Sequence, residues 1–377
     1  MKDTSRTAVL FLLIALTPWA CSSGGGDGDD DGPAYRSFVY ATNWGTSLVS
    51  GFALDETTGN LTGIAGSPFT VGSVPTSIAV NPAGTFAFVT NEDSGTISVM
   101  KINSVTGVLT QAAGSPYPTE PYPISSAVHP SGNYLYTLSW GSLRLSAYRI
   151  VGSNGGLSQI SGSPYVTGKD PQSLAIDPAG RFIYAANISS NDISAFSIDT
   201  ATGALTEVPG SPFATGEWPY SVVIDPAGTH LYAAIYNANC VASYAIDQAT
   251  GALSELAGSP APGGNQPCAT AIDPRGKFVY VTNTHNDGSN RTVSGYTVDA
   301  GTGALTEMDG SPFTVGWGPD GIAVERTGKF VYVANNGTGD ISAFSIDQTT
   351  GRLMPLGGSP FPVVQNPTYI MTVRIKQ

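Results

Sequence analysis

Few side chains in this sequence are equipped for chemistry, and they are scattered. Its 377 residues include 3 His and 3 Cys, with 16 Lys plus Arg against 28 Asp plus Glu. Glu92 and His285 are the candidates for proton transfer. Asp93 follows Glu92, and like-charge repulsion would raise the Glu92 pKa toward the range a general base needs. His285 shares a loop with Asp287 and Arg291, whereas His129 and His230 flank turns. Lys169 and Arg291 are the candidates for clamping an anion. There is no Gly-x-Ser-x-Gly elbow, His-Glu-x-x-His pair or phosphate-binding loop. Three cysteines do not make a metal cluster, so neither a metal nor a cofactor is expected.

The net charge is −12, and no basic stripe exists to neutralise phosphates, which argues against nucleic-acid binding. The N-terminus has the layout of an export signal over residues 1–20. Lys2 and Arg6 precede a short apolar stretch, 8–16, too short to span a membrane. Cys21 then opens a flexible acidic linker, 21–34, with Ser22, Ser23, three glycines and an acidic run at 27–31. This resembles a bacterial lipoprotein, although Pro18-Trp19-Ala20 departs from the usual residues before the lipid-bearing cysteine. The expectation is an exported monomer, held in the cell envelope through Cys21 and touching the membrane only by that anchor. Ser22, in place of Asp, points to the outer membrane; the alternative is a plain secreted protein. Cys240 and Cys268 remain as a possible disulfide in an oxidising compartment, with the risk that a third strand lies too far from the axis for a bridge.

The elements that must position these residues come from a repeat. Gly-Ser-Pro begins at Gly66, Gly114, Gly162, Gly210, Gly258, Gly310 and Gly358, at intervals of 48, 48, 48, 48, 52 and 48. One copy parses into strands at 221–224, 231–235, 240–246 and 252–256. Pro226-Ala227-Gly228 closes the first, and Asp247 to Gly251 form a hairpin turn of the kind Asp and Gly favour. Four short antiparallel strands per period of about fifty residues make a propeller blade. The chain enters at a second strand (37–40) and leaves through a first strand (366–371). The expected fold is therefore an all-β, seven-bladed β-propeller over residues 35–377, one blade completed by both termini, which removes free sheet edges.

Two faces follow from that parse. The Pro-x-Gly and Asp-x-x-Thr-Gly turns share one face and barely vary. The other carries the loops between second and third strands and the crossovers ending in Pro75, Pro123, Pro171, Pro219, Pro267, Pro319 and Pro367. Residues next to those prolines vary widely. Lys169, Asp170, Glu217, Trp218, Trp317 and Asp320, with Arg291 in the inserted loop, are the expected ligand contacts, for a small molecule, glycan or protein at the channel mouth. Asn43, Asn91, Asn187, Asn283 and Asn335 recur at the end of the second strand, where an Asx-type turn is expected.

The run Asp177-Pro178-Ala179-Gly180-Arg181-Phe182-Ile183-Tyr184-Ala185-Ala186-Asn187, with 192–199 and 202–206, resembles the lactonase-type seven-bladed propellers. Those include 6-phosphogluconolactonase-like enzymes and fungal muconate-lactonising enzymes. The resemblance covers 35–377 and lies mostly in the blade framework, so it implies fold more than chemistry. Enzymatic members carry Gly-Pro-Arg-His at the start of an innermost strand and Asn-Glu at the end of the second. Asn91-Glu92 matches the second motif, but Pro75-Thr76-Ser77 lacks the Arg and His of the first. Two readings follow. A non-enzymatic envelope propeller that binds a ligand is favoured over a lactone hydrolase using Glu92 or His285 as base and Lys169 or Arg291 as clamp.

Overall fold

The computed structural model describes residues 34–284 and 291–377. Cys21, the segments around it and His285 lie outside the described residues. Seven antiparallel sheets follow one another along the chain. In the fourth, the strands are Pro171–Ile176, Phe182–Asn187, Asp192–Ile198 and Leu205–Glu207, in that order across the sheet. All six residues of Phe182–Asn187 are buried. Such a strand is covered on both faces by neighbouring blades, which explains why it reads as a continuous apolar run rather than alternating. The outer strand Leu205–Glu207 buries only its leucine.

Each blade carries a fifth, two-residue strand that the four-strand parse omits. In the fourth blade Phe213–Ala214 pairs with Asp192 and Ile193, beyond the point where Leu205–Glu207 has ended. Between the two pairings the third strand has an amide at Ala195 that would be left without a partner on that edge. The Ser211 hydroxyl of Gly-Ser-Pro accepts it at 3.0 Å. The same bond recurs in all seven blades, from the amides of Gly51, Val99, Ala147, Ser243, Gly295 and Ala343 to Ser67, Ser115, Ser163, Ser259, Ser311 and Ser359. Buried backbone donors must find partners, and that requirement accounts for the serine of the repeat signature. The Ser-Pro peptides are cis, and each preceding glycine has a positive φ, from 81° to 99°.

The closing blade joins both ends of the described chain. Tyr35–Asn43 lies between Leu48–Leu54 and the last strand, Pro367–Lys376, with Phe38 opposite Val373. Neighbouring blades are latched by tyrosines. The hydroxyls of Tyr40, Tyr136, Tyr184, Tyr232, Tyr280 and Tyr332 donate at 2.6–3.0 Å to the carbonyls of Gly107, Gly203, Gly251, Gly303, Gly351 and Gly59, each in the next blade. The second blade has Phe88 at this position.

The recurring asparagines do not form Asx turns. Each is fully buried, and its amide donates across to a serine on the third strand: Asn43 to Ser50, Asn91 to Ser98, Asn187 to Ser194, Asn283 to Ser294 and Asn335 to Ser342, at 2.8–3.1 Å. They sit beneath the crossovers so closely that a Cβ on Gly72 or Gly264 would fall 2.6 or 2.3 Å from the asparagine side chain. The role is structural, as expected, but for Asn91, Asn187, Asn283 and Asn335 it is packing under a crossover glycine rather than a local turn.

Candidate functional site

Every crossover reaches the channel through the same backbone device. The residue before each innermost-strand proline has a positive φ: Val74, Tyr122, Asp170, Trp218, Gln266 and Asn366 lie between 42° and 64°, and Gly318 at 63°. Left-handed backbone is costly for a side-chain-bearing residue, and for β-branched Val74 most of all. Its carbonyl is thereby turned to accept the amide of the residue that follows the asparagine position at the end of the second strand. Glu92 donates to Val74 at 2.8 Å, Tyr236 to Trp218 at 2.8 Å and Asn336 to Gly318 at 2.7 Å; Trp44, Trp140, Ile188 and Thr284 repeat the bond.

One residue further on, the register breaks. Pro75 pairs with Asn91 and Ser77 with Thr90, leaving Thr76 as a β-bulge. The bulge recurs at Ile124, Gln172, Tyr220, Cys268, Asp320 and Thr368. A bulge re-aims its extra side chain, and here all seven belong to the mouth of the channel. Two rings of seven result: the bulged residues inside, and Trp44, Glu92, Trp140, Ile188, Tyr236, Thr284 and Asn336 outside them.

Together they surround a cavity of about 410 Å³ on the propeller axis. All seven inner-ring residues line it, along with Trp44, Glu92 and Asn336 of the outer ring and Tyr369. Burial pushes the Asp320 carboxyl up to about 7, partly offset by a hydrogen bond from Asn336. Burial also raises the phenols of Tyr220 and Tyr236 and the Cys268 thiol, so all three are neutral donors. The Cys268 thiol donates to the Pro319 carbonyl at 3.3 Å and lies 3.1 Å from the Thr282 hydroxyl. The Trp140 indole N–H holds the Glu92 carboxylate at 3.1 Å. Tyr220 stacks on Tyr236 at 5.4 Å, and Tyr236 on the exposed Trp218 at 6.0 Å, an aromatic run from cavity wall to rim.

Of the residues singled out from sequence, Glu92 and Asp320 meet in this cavity. Lys169, Asp170, Glu217, Trp218, Trp317 and Arg291 do not line it. Lys169 and Glu217 are exposed, and Asp170 accepts the Ser189 hydroxyl. Trp317 packs over Gly337, where a Cβ would meet its ring at 2.8 Å. Arg291 is exposed at the start of Arg291–Val298. His285 is outside the described residues. The possible disulfide is corrected: Cys240 and Cys268 are both free and buried. Cys240 opens a third strand and pairs with Pro262, whereas Cys268 is the inner-ring bulge of the next blade. Lys169, Asp170, Glu217, Trp218 and Trp317 precede their prolines, and of the crossover residues singled out from sequence only Asp320 follows one. The residue after each proline was the better signal, since Thr76, Ile124, Gln172, Tyr220, Cys268, Asp320 and Thr368 share one phase of the repeat.

A seven-bladed propeller with one axial cavity built from bulges is thus the class that fold and site define. The sequence model described as "Lactonase, 7-bladed beta-propeller" matches residues 35–215, 211–263 and 256–372, and the chain belongs to that family. A putative 6-phosphogluconolactonase from Bacteroides uniformis is similar in structure, with a TM-score of 0.77 and 18% identity over 90% of this chain and 99% of that one. The periplasmic gluconolactonase of Pseudomonas aeruginosa has a TM-score of 0.74 at 20% identity, over 90% of this chain and 99% of its own. At such identities the likeness speaks to fold. No curated protein matches the chain.

Proposed function

We propose that this is an exported propeller that binds a small polyhydroxylated ring, a sugar or sugar lactone, in the axial cavity. The observation that carries the reading is convergence: every blade sends one bulged side chain into a single space of about 410 Å³. That volume falls in the usual range for small-ligand pockets. Gln172, Thr368 and Asn336 offer a hydroxyl and amides, while Trp44, Tyr220 and Tyr369 offer apolar faces for a ring's C–H bonds. Thermal-shift and calorimetric titration with hexoses and their δ-lactones tests it, and a panel that yields neither stabilisation nor heat refutes it. Export, and anchoring through Cys21, belong to the same proposal. They are supported by the leader-like first twenty residues and by the periplasmic description of the Pseudomonas aeruginosa neighbour.

A second reading, lactone hydrolysis, is favoured by one feature: two carboxyl groups, Glu92 and Asp320, share the cavity, and one titrates near neutrality. One carboxylate takes a proton from water as its oxygen bonds to the lactone carbonyl carbon. The ring C–O bond then breaks, and the departing alkoxide takes a proton from the other carboxyl. Glu92→Gln should lower kcat for a sugar δ-lactone by about 10²- to 10⁴-fold if Glu92 is the base. Activity retained within twofold would remove Glu92 from the reaction.

A further inference from the structure

We propose that the cavity is built for uncharged rings and rejects phosphorylated ones, an inference that rests on reading the cavity as a sugar or sugar-lactone site. All fourteen positions of the two rings belong to the described residues. Glu92 and Asp320 are acidic, and none of the fourteen is Lys, Arg or His. The cations nearest in the chain to this face stand outside the rings. Lys169 is exposed on a crossover, and Arg144 and Arg291 begin third strands. A phosphate entering the cavity would lose hydration and gain, from the described residues of the two rings, no cation or guanidinium fork, the usual compensation for a buried anion.

Nor does the backbone supply an anion seat of the common kind, because no helix N-terminus exists among the described residues. What the rings do offer is matched to neutral polyols. Gln172, Asn336 and Thr368 supply donors and acceptors, and the Glu92 carboxylate, already steadied by Trp140, can accept a ring hydroxyl. At short range, the Glu92 carboxylate, joined by Asp320 as that residue ionises above about 7, disfavours a dianionic ester by about tenfold or more, even with the effective screening typical of protein sites.

Matched pairs test this: glucose, galactose, mannose and glucono-δ-lactone, each against its 6-phosphate. Binding is read by calorimetry and by quenching of tryptophan fluorescence, since Trp44 lines the cavity. The expected result is that at least one neutral member binds at least tenfold tighter than its phosphate. In the Glu92→Gln, Asp320→Asn double variant, that gap should close to within about threefold through better binding of the phosphate. Because that variant alters two recessed groups, Gln172→Arg serves as an independent probe: a guanidinium on the inner ring should strengthen phosphate binding severalfold. A phosphorylated member binding as tightly as its neutral partner overturns the inference while leaving the sugar-site reading intact. A gap unmoved by both variants also overturns it, since the exclusion would then not be electrostatic. If no member of any pair binds, the sugar-site reading itself falls, and this inference with it.

Discussion

Consider Tyr184→Phe, which deletes one oxygen from one inter-blade latch. The Tyr184 hydroxyl is buried and donates at 2.8 Å to the Gly251 carbonyl in the next blade. Burial raises its pKa, so it is a neutral donor throughout the accessible pH range. Phenylalanine keeps the ring packing but leaves the carbonyl unpaired away from water. Removing one partner of a buried hydrogen bond costs about 1–3 kcal/mol, more than the bond's net worth, because the remaining group stays desolvated. The second blade carries the converse experiment, since Phe88 is fully buried where the others have tyrosine. Phe88→Tyr would place a hydroxyl toward Gly155, the glycine in register with Gly107 and Gly203, and should stabilise by up to about 1 kcal/mol. Urea unfolding of each variant gives the answer, provided the slope with denaturant is unchanged, so that a shifted midpoint reports stability alone. A Tyr184→Phe variant within about 0.3 kcal/mol of wild type would refute the claim that these bonds hold blades together.

Asp320 yields a pH prediction. Its native pKa is raised to about 7, whereas an unfolded aspartate titrates near 4. The native state therefore keeps a proton that the unfolded state has released between those values, so this residue's contribution to stability falls as pH rises through that interval. Asp320→Asn should be more stable than wild type at pH 8 by more than about 1 kcal/mol, with the difference vanishing near pH 4; equal stability at both would contradict the burial argument. Thiol titration of residues 34–377 should find Cys240 and Cys268 unreactive in the native state and two free thiols after unfolding without reductant. Finding none would restore the disulfide. Wild-type protein should partition with membranes in its native host and Cys21→Ser should not; a wholly soluble wild type rules out the anchor.

The blades were legible in the sequence because blade structure is local. Gly-Ser-Pro recurs because a glycine at positive φ and a serine that caps a strand amide are needed wherever the fourth strand ends. The phase offset between first and last strands is likewise a local reading, and it foretold the sheet in which Tyr35–Asn43 meets Pro367–Lys376. Glu92 was found because its position beside Asn91 matched a motif. The composition of the site was not legible, because it depends on two departures from regularity. A left-handed residue before each proline and a bulge just after it break the period-two alternation from which a strand's faces are read. Asp170 and Trp218 looked like contacts, yet their carbonyls are spent on Ile188 and Tyr236, while Gln172 and Tyr220 reach the cavity. Local chemistry in the chain thus determined the repeat, the blade and the number of blades. Only closure of the ring decided that seven residues some 48 positions apart share one cavity, and that a carboxyl such as Asp320 loses enough water there to titrate near 7.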